Sequence, residues 1–165
     1  MDQTNAQETA QRPTLLTVLC IISFIMGLLG LYNSVQTITK DPTLELEKAR
    51  TALEQAKADL GSQAEGAAGR FMESAMEVAE NAAKNAKQIG IAGVVFSLLS
   101  LIGVWLMWNL RKNGFWLYTV AALAGIAADT YFLGGGLAAM LSIGFMGFFT
   151  ILFIILYAVN LKYMH

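Results

Sequence analysis

The sequence predicts an all-α membrane protein, with four transmembrane helices and an extramembrane antiparallel helical hairpin between the first and second spans. Three observations lead there. The chain of 165 residues is 56% hydrophobic and only 14% charged, whereas about a quarter of the residues in an ordinary soluble domain are charged. Its apolar residues gather into four runs, Leu15 to Tyr32, Ile89 to Trp108, Phe115 to Leu133 and Leu137 to Leu161. Each run is near or above the roughly 20 residues needed to cross about 30 Å of hydrocarbon, and the buried helices of soluble proteins, the alternative reading, are typically shorter. The one sizeable polar region lies between the first two runs. Seven of the eleven Lys and Arg residues and nine of the twelve acids fall from Lys40 to Lys87, which leaves that connection with a net charge of −2.

The polar tail at 1–14, "MDQTNAQETAQRPT", sets one Arg against Asp2 and Glu8 and lacks the basic flank of a signal peptide. The first span, 15–37, is therefore expected to stay as an anchor. Cys20 in "LTVLC" falls near a lipoprotein cleavage pattern, but Leu19 stands where a small residue is required and the apolar run continues past it. No lipidation is expected there. A single cysteine can form no internal disulfide, so it says nothing of redox compartment.

The connection at 41–88 predicts two helices, at about 42–60 and 70–88, the second continuous with the second span. Asp41 followed by Pro42 is a helix start, a capping carboxylate and then a residue whose missing N–H costs nothing in the first turn. Leu46, Leu53 and Leu60 recur every seven residues with Ala49 and Ala56 between them, a short heptad seam. Gly61, Gly66 and Gly69 break the pattern, and Phe71, Ala75, Val78 and Ala82 resume it at helical spacing. A second apolar stripe, Met72, Met76, Ala79 and Ala83, runs beside the first. A helix in a two-helix hairpin needs only one, so Phe71, Met72, Met76, Ala79 and Ala83 are candidates for docking a partner. The plainer reading packs this stripe on its own hairpin or on the membrane surface.

The remaining spans are expected at 89–110, 115–133 and 137–161, followed by a tail at 162–165. Gly90, Gly93, Ser97, Ser100 and Gly103 put small residues on the second span, and Ala121, Gly125 and Ala128 do so on the third. Lipid supplies no hydrophobic drive between helices, so association runs through close packing over such residues, within the bundle or with another subunit. The basic turn "NLRKNG" favours cytoplasmic termini and a periplasmic hairpin, although Lys40, Lys84 and Lys87 near the opposite ends oppose it. Trp105, Trp108, Trp116, Tyr157 and Tyr163 would then form the cytoplasmic aromatic belt, with Tyr32 and Tyr131 at the outer interface.

Little in the chain offers chemistry. The single histidine, His165, is the last residue and reads as a solvated, flexible terminus. No Cys/His spacing suits a metal, "GSQAEGAAGR" lacks the Lys and Ser/Thr of a phosphate-binding loop and fits a hairpin turn, and no basic, aromatic-interleaved surface suggests nucleic acid. No cofactor and no catalytic residue is expected. Asp129 is the exception, because an ionisable group within a span costs at least about 2.5 kcal/mol at the bilayer centre. It lies in the last quarter of its span, level with Asn33 and Gln36 and near Lys87. These four form an expected intramembrane polar cluster, with Lys87 pairing Asp129.

Two functions compete. In one, this is a non-enzymatic accessory or scaffold subunit in contact with lipid, self-associating or docking to other membrane subunits through the hairpin and the small-residue faces. In the other, it is a small transport or proton-relay component using Asp129, against which stands the absence of a second ionisable group in the inner half of the spans. The stretches "RPTLLTVLCIISFIMGLLGLY" and "MWNLRKNGFWLYTVA" resemble a group of small four-span membrane proteins of Bacteroidota-type bacteria. That resemblance implies a bacterial inner-membrane location and carries no activity or functional residue with it.

Overall fold

The computed structural model describes residues 13–61 and 66–165. The N-terminal tail and the centre of the "GSQAEGAAGR" turn lie outside them. The described residues form six α-helices and no strand: α1 (Thr14–Thr39), α2 (Pro42–Leu60), α3 (Ala67–Lys84), α4 (Ala86–Trp108), α5 (Lys112–Leu133) and α6 (Leu137–Asn160), the last followed by a 3₁₀ turn at Leu161–Tyr163. Four of them, α1, α4, α5 and α6 with its 3₁₀ extension, are long and apolar enough to cross a membrane, which is compatible with a multi-pass membrane protein.

These four helices pack as antiparallel neighbours, α1 on α4, α4 on α5 and α5 on α6, and α6 returns to α1 at one end. There Leu16, Leu19 and Cys20 of α1 meet Val104 and Met107 of α4, Phe115 of α5, Tyr157 of α6 and Met164 in a buried cluster. We call this the basic end, since Arg111, Lys112 and Lys162 surround it. Away from the core, α6 exposes Met140, Phe145 and Phe148, at 66%, 67% and 64%. In water such a face would drive association; facing acyl chains it costs nothing.

Local sequence explains the helix ends. The Asp41 carboxylate accepts the Thr43 backbone N–H at 2.9 Å and the Thr43 hydroxyl at 2.7 Å, and Pro42 opens α2. Those two hydrogen bonds, the hydroxyl's first, hold the Asp41 carboxyl below its ordinary pKa. α1 runs past the expected 37 to Thr39 and is closed by the Lys40 N–H donating to the Gln36 carbonyl at 2.9 Å, while Thr37 and Thr39 return their hydroxyls to the carbonyls of Asn33 and Val35 at 2.9 and 3.1 Å. At the end of α4, Leu110 donates to Met107 and Arg111 to Leu106 at 2.9 and 3.0 Å, the Schellman pairing. Leu110 adopts φ +59 to make it, at a position that usually takes glycine and costs another residue about 1 kcal/mol.

Three expectations are corrected. The helix expected to run unbroken from 70 to 88 into the second span instead divides at Asn85, whose backbone closes α3 and opens α4. The break lets α3 leave the axis of α4 and lie against α5 and α6. Tyr157 belongs to no interfacial belt: it is fully buried, donates its hydroxyl to Ser23 Oγ at 2.8 Å, and meets the Tyr118 ring edge-on at 5.3 Å. Nor is His165 loose, since its N–H donates to the Leu110 carbonyl at 2.8 Å and its carbonyl oxygen accepts from the Lys112 N–H at 3.1 Å.

Candidate functional site

The most constructed polar site is where α3 crosses the turn between α5 and α6. That turn is Gly134, Gly135 and Gly136, which has no side chain with which to cap the helices on either side. α3 supplies the caps. Asn81 Nδ2 donates to the Leu133 carbonyl at 3.2 Å and Asn85 Nδ2 to the Phe132 carbonyl at 3.3 Å, closing the end of α5. Ser74 Oγ accepts the Ala138 N–H at 2.9 Å, closing the start of α6. This is the bond that a capping serine makes within its own helix, made here by a residue 64 positions away. Glycine is required at 136, because a Cβ there would strike the Ser74 hydroxyl. At 134 it is favoured by φ +88.

Ser74, Asn81 and Asn85 lie on one side of α3 and were not singled out in the sequence. The opposite side turns to α2. Arg50 and Glu80 pair at 3.1 Å, and Ala79 and Ala83 line a cleft of about 390 Å³ with Leu46, Pro42 and Glu45 of α2 and Asn33, Gln36, Thr37 and Lys40 of α1. Of the residues considered for docking, Ala79 and Ala83 therefore face this cleft, Met72 and Met76 are half-buried, and Phe71 is 44% exposed.

The expected polar cluster is divided. Asn33 and Gln36 line the cleft, with Gln36 donating to the Tyr32 hydroxyl, while Asp129 sits on α5 and α4 packs between α5 and α1. No ion pair joins Lys87 to Asp129. Lys87 is exposed, and Asp129 is half-buried without a hydrogen bond or ion pair among the described residues. Lys87 stands in the first turn of α4, which starts at Ala86, and its side chain is exposed there.

The small residues serve two neighbours. A Cβ on Gly90 or Gly93 would collide with Ile38 or Ser34 of α1. One on Gly103 would lie 2.8 Å from Tyr118 N and 2.9 Å from the Gly114 carbonyl of α5. Ser97 faces Gly30 of α1, Ala121 is buried, and Ser100 and Ala128 are half-buried. Gly125 is roomier, with only Phe96 at 3.9 Å. Gly27, Gly30, Ser34 and Gly114 complete these contacts and were not singled out in the sequence.

No three His, Cys, Asp or Glu side chains among the described residues are grouped to hold a metal. What this site can do is positional: it fixes one helix across the ends of two others. Comparison with protein families, curated proteins and solved structures finds no match for this chain.

Proposed function

We propose that this protein is a non-enzymatic, multi-pass protein of a bacterial inner membrane that acts as an accessory or scaffold subunit of a larger membrane complex. Its termini face the cytoplasm. The helices α2 and α3 form a periplasmic hairpin, and that hairpin is the docking element. The observation that carries this reading is the triple cap by Ser74, Asn81 and Asn85. A hairpin bolted to the bundle through α3 presents α2, none of whose residues is buried, at a fixed angle to the membrane. Fixing a surface before the partner arrives lowers the ordering cost of association. The small-residue faces are engaged between α1, α4 and α5, so docking falls to the hairpin.

The test is extraction of the full chain in a mild detergent and identification of proteins that co-purify in fixed ratio. A stoichiometric membrane partner, lost when exposed residues of α2 such as Leu44 and Glu47 are replaced, is expected. Recovery of a monomer alone would remove the accessory reading. The unpartnered carboxylate of Asp129 favours the second reading, a small transport or proton-relay component. For that reading, ion or proton flux in vesicles must be present in the parent and lost in Asp129→Asn.

A further inference from the structure

Three cations meet at the basic end. Arg111 and Lys112 stand in the turn between α4 and α5, and Lys162 lies 50 residues further on. The backbone pairing of His165 with Leu110 and Lys112 ties the chain after α6 to that turn, so Lys162 joins the other two. All three are exposed and none forms an ion pair among the described residues. Every described acid side chain is elsewhere: eight fall from Asp41 to Glu80, and Asp129 lies toward the opposite end of α5. α5 itself starts here with no acid in its first turn and no side-chain cap, so the positive end of its dipole adds to the three cations. Gathered like charges repel, and an anion held among them offsets that cost.

The aromatic residues narrow the class of anion. Trp105 and Trp116 are 59% and 63% exposed. The antiparallel packing of α4 on α5, which sets Gly103 against Gly114 and Tyr118, also brings these two indoles to the same depth. Trp116 sits four residues into α5 from Lys112, roughly 6 Å inward at 1.5 Å per residue, and Trp105 lies one turn before the end of α4. Tyr163 is exposed too, with Lys162 Nζ 5.0 Å from its ring centre. Indoles at one level and cations farther out match the two layers of a phospholipid interface, ester and glycerol groups and then phosphate.

We infer that the turn at Arg111 and Lys112, together with Lys162, binds the phosphate of an anionic phospholipid, with Trp105 and Trp116 flanking its glycerol region. The inference rests on the membrane reading proposed above. The chain's three tryptophans, Trp105, Trp108 and Trp116, all lie at this end, so tryptophan emission, excited apart from that of the tyrosines, reports on this end of the bundle.

The full chain would be reconstituted in phosphatidylcholine vesicles that contain a small, equal fraction of either brominated phosphatidylglycerol or brominated phosphatidylcholine. Brominated phosphatidylglycerol should quench at least about two-fold more strongly, and the triple variant Arg111→Gln, Lys112→Gln, Lys162→Gln should quench equally with both lipids. A variant at the other end, Lys40→Gln with Lys48→Gln, should keep the parent's preference. Equal quenching of the parent by both lipids, or a preference that survives the triple variant, would overturn the inference. Displacement by inorganic phosphate beyond that by chloride of equal ionic strength would reassign the site to a free anion and overturn it also. Absence of quenching by either lipid would instead sink the membrane reading on which it rests.

Discussion

At the scale of single residues, Ser74 is the side chain whose removal has the most specific consequence. It is 8% exposed and its hydroxyl is the acceptor for the N–H of Ala138, itself 6% exposed. Ser74→Ala leaves that N–H without a partner away from water, a loss of roughly 1 to 2 kcal/mol. Thermal unfolding in detergent should show a lower midpoint for Ser74→Ala and an unchanged one for its exposed neighbour Glu73→Ala; equal midpoints would mean that the cap adds no stability. The sequence offers no sign of this role. A serine at a helix start is recognisable from the helical run directly after it, whereas Ser74 sits inside its own helix and caps another that begins far along the chain. Asn81 and Asn85 are hidden for the same reason. Asp41 is legible because its partner, Thr43, is two residues away.

At the scale of helices, what separates one interface from another is how near two backbones come. A Cβ on Gly114 would lie 2.5 Å from the Gly103 carbonyl and 2.6 Å from Met107 N, atoms of helix backbone that cannot swing aside. Gly114→Ala should therefore push α4 and α5 apart and destabilise by about 1 to 3 kcal/mol. Gly125→Ala meets only ordinary contact, so it should be neutral or gain up to about 1 kcal/mol from the better helix former. Parallel unfolding curves of the two variants in one detergent check the contrast, and a similar loss in both would refute it. The four long helices are legible from apolar length alone, and Gly90, Gly93 and Gly103 stand out as small residues in an apolar span. Their counterparts Gly27, Gly30 and Gly114 are harder to read, because a helix apolar on every side has no periodic contrast to show which face meets its neighbour. The break at Asn85 was equally hidden, since nothing local to "AAKNAKQ" forbids a continuous helix and the cause is tertiary.

At the scale of the molecule, charge is segregated. One end carries Arg111, Lys112 and Lys162 without an acid side chain among the described residues, and the other carries α2 and α3 with both signs mixed. Short basic turns are retained in the cytoplasm, so a thiol introduced by Ser62→Cys, between α2 and α3 in sequence, should react with a membrane-impermeant maleimide added to intact cells. Cys20 is fully buried and should stay silent. Labelling only after the membrane is opened would invert the orientation. The caps supplied by α3 also bear on the order in which the chain is made. Synthesis produces α3 before α5 and α6, so Ser74, Asn81 and Asn85 are in existence before the glycine turn that depends on them. On the proposed orientation they have already been exported when the last two spans enter the bilayer as a pair. On that proposed topology, biogenesis has a sequence, in which an early translocated segment is the template on which the final pair of helices is completed.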